Sequence, residues 1–321
     1  LVSLTGMPEG AFGVFTSGGT AANLSAIVTA REYWRQNKKN RNKKGCLITS
    51  VGAHSSIKAM AKVIDADVLL VETDDLMTAE ALQEKIDSLD KSTMERVFAV
   101  VATGGTTNAG IVDDLEGIAA ICKDFSLWFH VDAAYGGGAL AADSVRHLFK
   151  GIEKADSITI DPHKWLFSPY DCGAIIYKNP ELAKTAHSQE GSYLDIIKDP
   201  GAHGFNPSDY QIQLTRRLRG LPLWYSLATH GTNKYKWAVE RGIELANLAG
   251  ELISSRVEVE LIRPPSLSCV LFRRIGWSED DYKNWTYTNH HKGLALVTPS
   301  KWKTKGGFET VARFCFINPD T

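Results

Sequence analysis

Cysteine is scarce in this chain: five residues in 321, scattered, odd in number and without a Cys-x-x-Cys pair. That excludes a disulfide framework and leaves no zinc ribbon, so no metal site is expected and a reducing, cytoplasmic compartment suits the chain. Excess charge is missing as well. Thirty-six Lys and Arg stand against 37 Asp and Glu, a formal net charge of −1, so nucleic acid, which rewards a basic stripe, is not an expected partner. No apolar run reaches the roughly 18 residues that a bilayer-spanning helix takes, and no membrane partner is expected. Signal-peptide patterning, internal repeats and low-complexity tracts are also lacking. Two nucleotide fingerprints fail: no Gly-Lys-Ser/Thr closes a Walker loop, and no complete Gly-x-Gly-x-x-Gly is present. A P-loop enzyme and a nicotinamide dehydrogenase lose most of their support. Six basic residues crowd Arg35 to Lys44, where a solvated loop after a helix is expected in preference to a phosphate site.

What is present is an ordinary globular composition, 44% hydrophobic and 23% charged, with length for about two domains. Short apolar runs alternate with amphipathic stretches over the first two-thirds. Strands are expected near Cys46–Thr49, Asp67–Val71, Val97–Thr103, Trp128–Val131, Ser157–Ile160 and Ala174–Tyr177, after strand-like, Gly-rich opening material. Helices are expected over 21–36, 55–64, 78–89, 115–125 and 146–155. Near-continuous apolar strands alternating with helices predict an α/β domain around a mainly parallel sheet. From residue 229 onward a smaller α+β domain is expected: a long helix over about 234–255, then strands near 257–261, 268–275, 294–297 and 310–317. The expected division is therefore 1–228 and 229–321. Neither end reads as a natural boundary, since the last residues, Asn318-Pro319-Asp320-Thr321, look like a turn into a further helix.

Ligands of open α/β sheets sit beyond the carboxyl ends of the strands, and four loops there have unusual compositions. Thr16-Ser17-Gly18-Gly19-Thr20 precedes a helix, so small residues, two hydroxyls and the helix's free amides suit an anion such as phosphate. Gly104-Gly105-Thr106-Thr107-Asn108 follows a strongly apolar strand and by itself is no more than a turn. His130-Val131-Asp132-Ala133-Ala134-Tyr135 places a carboxylate where a buried strand ends, which is costly without a positive partner. Asp161-Pro162-His163-Lys164-Trp165 puts a lysine just past the next strand, where burial favours the neutral, nucleophilic amine. Each loop alone is as well explained by capping or a plain turn. Together they are the parts that pyridoxal phosphate requires: a phosphate cradle, an acid to keep the pyridine nitrogen protonated, and a lysine to hold the aldehyde as a Schiff base.

With these motifs the chain resembles the group II pyridoxal-phosphate-dependent amino-acid decarboxylases of fold type I. The signatures are His-Val-Asp-Ala-Ala-Tyr followed by Asp-Pro-His-Lys-Trp, and the resemblance runs over nearly the whole sequence. The aromatic-L-amino-acid branch is nearest, through the segment from Tyr193 to Arg216-Arg217-Leu218-Arg219. The resemblance implies that Lys164 is the Schiff-base lysine, Asp132 the pyridinium partner and His54 the residue stacked on the ring. It implies Gly19, Thr20 and His163 at the phosphate, Thr107 beside the cofactor and substrate carboxylate, and Ala134 on the ring face opposite His54. Tyr193 matches the mobile-loop tyrosine that protonates carbon after carbon dioxide leaves; family members with Phe there become oxygen-consuming aldehyde synthases.

The implied activity is decarboxylation of an L-amino acid, aromatic first, to the amine. Oxidative decarboxylation or another fold-type-I reaction is the alternative, and a silent binding protein the remote one. The implied assembly is a homodimer with its sites at the subunit boundary. Two departures stand out. The family's N-terminal segment and final helix have no counterpart here, and Asp161 replaces a usual Asn. A carboxylate near a phosphate should repel it unless it faces a cation, so Asp161 is expected to point elsewhere or to pair with an Arg, and the sequence assigns it no role.

Overall fold

The computed structural model describes residues 1–189, 206–304 and 307–321. Seven strands form the larger sheet: β1 (Phe12–Thr16), β2 (Cys46–Ser50), β3 (Asp67–Val71), β4 (Val97–Thr103), β5 (Trp128–Asp132), β6 (Ser157–Ile160) and β7 (Gly173–Tyr177). Their order is β1-β7-β6-β5-β4-β2-β3. From β3 to β6 every pairing is parallel, whereas β7 runs antiparallel to both β6 and β1. Two reversals return β1 to the direction of the parallel strands. Its carboxyl end therefore opens on the same edge as theirs.

Strands β2, β4, β5, β6 and β7 are buried at every residue, as expected for a sheet covered on both faces. On one face lie the helices Gly19–Arg35 and Ser55–Val63, contributing Ala22, Ala26, Ile27, Ile57 and Met60. On the other lie Ala79–Asp87 and Leu115–Asp124, contributing Leu82, Ile86, Leu115 and Ile118. The last two helices start at side-chain caps, Thr78 accepting from the Ala81 amide and Asp114 from the Gly117 amide.

A second sheet is wholly antiparallel, β8 (Val259–Leu261), β9 (Cys269–Arg274), β10 (Thr298–Thr304) and β11 (Gly307–Cys315), in the order β10-β11-β9-β8. The helices Gly220–Ser254 and Glu279–His291 supply Ala246, Ile253 and Tyr282 to its core.

Several expected elements differ. The helix expected over 146–155 is a short helix, Asp143–Arg146, followed by tight turns at His147–Phe149 and Ile152–Lys154. Gly151 stops it: its φ is 95°, and a Cβ there would stand 2.5 Å from the Glu116 Cα. The strand expected at 294–297 is absent, because Leu294 and Leu296 are exposed and pairing begins only at Thr298. The long helix starts at Gly220, well before 234, and breaks at Gly231. Glu279–His291 was not expected at all. It is polar along most of its length and is held by a capping box between Ser278 and Asp281. The basic run from Arg35 forms ion pairs, Lys44 with Asp67 at 2.8 Å and Lys43 with Glu95 at 3.5 Å.

Candidate active site

Loops after β1, β2, β4, β5 and β6 converge on a cavity of about 280 Å³. The predicted residues Gly19, Thr20, His54, Thr107, Asp132, Ala134, His163 and Lys164 all line it. Tyr193 lies outside the described residues.

The helix Gly19–Arg35 begins without a side-chain cap, since its N-cap is Gly18. Gly18 has φ 144°, and a Cβ on Gly173 would come within 2.4 Å of its Cα. Only glycines let β1, β7 and this turn pack so closely. The first amides of the helix are left to face the cavity, with Ser17 and Thr20 beside them. The other predicted cradle residue, Gly19, is enclosed: a Cβ there would sit 3.0 Å from both the Ala134 Cβ and the Asp161 Oδ2.

Asp132 closes β5 and is only 6% exposed. Its Oδ1 accepts from the Ala134 amide at 3.1 Å and its Oδ2 from Asn23 Nδ2 at 2.8 Å. Behind Asn23 runs a chain whose direction is set by its acceptor end, the Asp132 carboxylate. The Asn23 amide turns its N–H to Asp132, so its Oδ1 accepts from His130 Nε2 at 3.0 Å. Nδ1 of the neutral imidazole then accepts from the Ser157 hydroxyl at 2.8 Å, and Ser157 Oγ accepts in turn from Trp128 Nε1 at 2.8 Å. Full burial pushes the His130 imidazole down to about 3, consistent with this neutral tautomer. Burial also pushes the Asp132 carboxyl up, against the two hydrogen bonds that favour its anion. A cation in the cavity would stabilise that anion.

Asp161 points into the site and pairs with Lys164, its Oδ2 lying 3.1 Å from Lys164 Nζ and 3.4 Å from His163 Nε2. The expectation that it turns away or meets an Arg is corrected: the cation is the site lysine three residues on. Burial raises the Asp161 carboxyl, but His163 and Lys164 together hold it below the ordinary value. Its Oδ1 is buried with no partner. His163 is steadied from behind, its Nδ1 accepting from the Cys172 amide at 2.9 Å.

His54 is both a cap and a cavity wall. Its Nδ1 accepts from the Ser56 amide at 3.2 Å, starting the helix Ser55–Val63 and fixing the ring. Tyr135 also lines the cavity, stacked on Trp165 with centroids 5.3 Å apart. Sequence reasoning missed Asn23, Ser56 and the structural part of Tyr135. An amide side chain among the small residues Ala22, Ser25, Ala26 and Thr29 of the buried helix face was the available signal for Asn23.

These donors fit pyridoxal phosphate: uncapped amides and hydroxyls for a phosphate, a buried carboxylate for a protonated ring nitrogen, and an amine for an aldehyde. The comparisons with known proteins agree. The pyridoxal-dependent decarboxylase conserved domain matches residues 1–275. The chain is 31% identical to the aromatic-L-amino-acid decarboxylase of Bacillus atrophaeus, across all of this chain and 68% of that enzyme. It is 34% identical to the L-2,4-diaminobutyrate decarboxylase of Rhizobium meliloti (strain 1021), across 86% of this chain and 55% of that one. The crystal structure of mouse CSAD superposes with a TM-score of 0.82 at 29% identity, covering 99% of this chain and 70% of that one. No helix among the described residues is long and apolar enough to cross a membrane. By sequence match, by fold and by the residues gathered at its cavity, this chain belongs to the pyridoxal-dependent decarboxylase family.

Proposed function

We propose that the chain carries the cofactor site of an L-amino-acid decarboxylase that favours aromatic substrates and releases the amine and carbon dioxide. The observation that carries this reading is the opening of Lys164 and Asp132 onto one cavity beside the uncapped helix Gly19–Arg35. When bound, pyridoxal phosphate supplies an electron sink for the bond to the departing carboxylate. The chain's own residues then have separable tasks. Gly19, Thr20 and His163 bind the phosphate, and Asp132, braced by Asn23, holds the ring-nitrogen proton. His54 and Ala134 would flank the cofactor ring. Lys164 would hold the cofactor covalently, and Asp161 pairs with its ammonium when the amine is free. Thr107 orients the substrate carboxylate, and Tyr193 returns a proton to carbon.

The aromatic preference is supported by the Bacillus atrophaeus relative, which aligns with the whole chain; the Rhizobium meliloti relative acts on a basic amino acid instead. We further propose a division near residue 229, close to the helix break at Gly231, and a cytoplasmic homodimer whose sites lie at the subunit boundary. The test offers a panel of aromatic, basic and acidic amino acids to the protein with pyridoxal phosphate and identifies products by mass spectrometry. An amine from an aromatic substrate is expected. An amine from another class alone overturns the preference, and an aldehyde or keto acid overturns the reaction.

A further inference from the structure

Two cysteines meet where the small sheet approaches the cofactor cavity. Cys269 opens β9 and Cys315 closes β11, and the antiparallel register sets them directly opposite. The adjacent pair is a hydrogen-bonded one, the Phe316 amide donating to the Ser268 carbonyl at 2.9 Å. Alternation makes Cys269 and Cys315 a non-hydrogen-bonded pair, in which opposed Cα atoms approach to roughly 4.5 Å. That spacing lies within the roughly 4.4–6.8 Å that a disulfide spans. The two sulfurs are already 3.7 Å apart.

Their surroundings are unequal. Cys269 is buried, whereas Cys315 is partly exposed. The hydrogen bond from Cys269 and the nearby Arg313 hold the Cys315 thiol below its ordinary value, and Cys269 is correspondingly pushed up. Cys46, Cys122 and Cys172 are buried and raised by that burial, so they lack both the thiolate character and a facing sulfur. The pair also touches the site. The Tyr135 hydroxyl lies 3.6 Å from the Cys269 sulfur and 2.6 Å from Ser268 Oγ, and Tyr135 is one of the residues that line the cavity.

We propose that Cys269 and Cys315 form an oxidation site, a dithiol that a peroxide converts into an intramolecular disulfide joining β9 to β11. The Cys315 thiolate attacks one peroxide oxygen, the O–O bond breaks, and hydroxide leaves to be protonated to water. Cys315 is now a sulfenic acid. The Cys269 sulfur attacks it, the S–O bond breaks, and water leaves with the Cys269 proton. Two thiols have lost two electrons, and one peroxide has become two waters. This site goes beyond the proposed reaction and does not depend on it.

The test is timed exposure of the folded protein to hydrogen peroxide, followed by alkylation, non-reducing digestion and peptide mapping. The expected product is two hydrogens lighter, links Cys269 to Cys315 before Cys46, Cys122 or Cys172 reacts, and reverts with dithiothreitol. In Cys269→Ser, Cys315 should instead accumulate as a sulfenic acid that dimedone traps. Oxidation of any other cysteine first, or both sulfurs still alkylated as thiols, overturns the proposal. The mapping on the unaltered protein decides the matter even where the serine variant fails to fold.

Discussion

Replacing Asn23 by Ala tests whether the buried chain behind Asp132 holds that carboxylate in place. Among the described residues the Asn23 amide alone joins His130 Nε2 to Asp132 Oδ2, at 3.0 and 2.8 Å. Asn23 is 1% exposed and His130 is fully buried, so the alanine leaves two sequestered partners. A hydrogen bond to a charged group is worth about 1.5–3 kcal/mol, and stranding a buried neutral donor costs about 1–3 kcal/mol. Water admitted to the vacated space recovers part of this, which puts the expected loss at about 2–5 kcal/mol. Urea unfolding of the cofactor-free protein at neutral pH reads it as a lower midpoint with an unchanged slope. Weaker retention of pyridoxal phosphate should accompany the loss, because Asp132 is no longer fixed. A variant within about 0.5 kcal/mol of the unaltered protein would refute the chain as a structural element.

Three further outcomes are expected. His187 is buried, its Nε2 donating to the Ser25 carbonyl at 3.0 Å, and burial lowers its pKa. The unfolded chain therefore binds the extra proton: the stability His187 contributes is complete above pH ~6.5 and is lost as pH falls below it. Relative to His187→Gln, the unaltered protein should lose stability between pH 7.5 and 5 in urea titrations, and a constant difference contradicts this. Gly173→Ala would drive a Cβ to 2.4 Å from the Gly18 Cα, so about 1–3 kcal/mol of stability should go together with cofactor binding; unaltered binding contradicts the packing argument. Tyr193→Phe should move the product from amine toward aldehyde, and an unchanged amine yield removes Tyr193 from the protonation step.

Much of the large sheet was legible because buried parallel strands carry continuous apolar runs. Val97–Thr103 and Ser157–Ile160, buried at every residue, fall where the sequence places them. The site loops were legible because glycine, hydroxyl and charged residues interrupt those runs at the carboxyl ends. What was hidden depends on long-range packing. β1 becomes part of the site edge only through two antiparallel reversals with β7 and β6, which no local pattern encodes. Asn23 acquires its meaning from His130 and Asp132, more than a hundred residues away. Asp161 looked misplaced beside a phosphate because its partner Lys164, three residues along the chain, meets it only when the loop after β6 folds back. Glu279–His291 was hidden for the opposite reason. Its capping box is local and readable, but its polar surface offers no apolar stripe to mark a helix.

The proposed function requires Lys164 to be the covalent anchor of the cofactor. Its most direct test is borohydride reduction of the protein with pyridoxal phosphate, followed by mass mapping of the lysines. A reduced pyridoxyl group on Lys164 alone, absent from Lys164→Ala, is the predicted result. A label on another lysine, or none on a folded protein, would contradict the account.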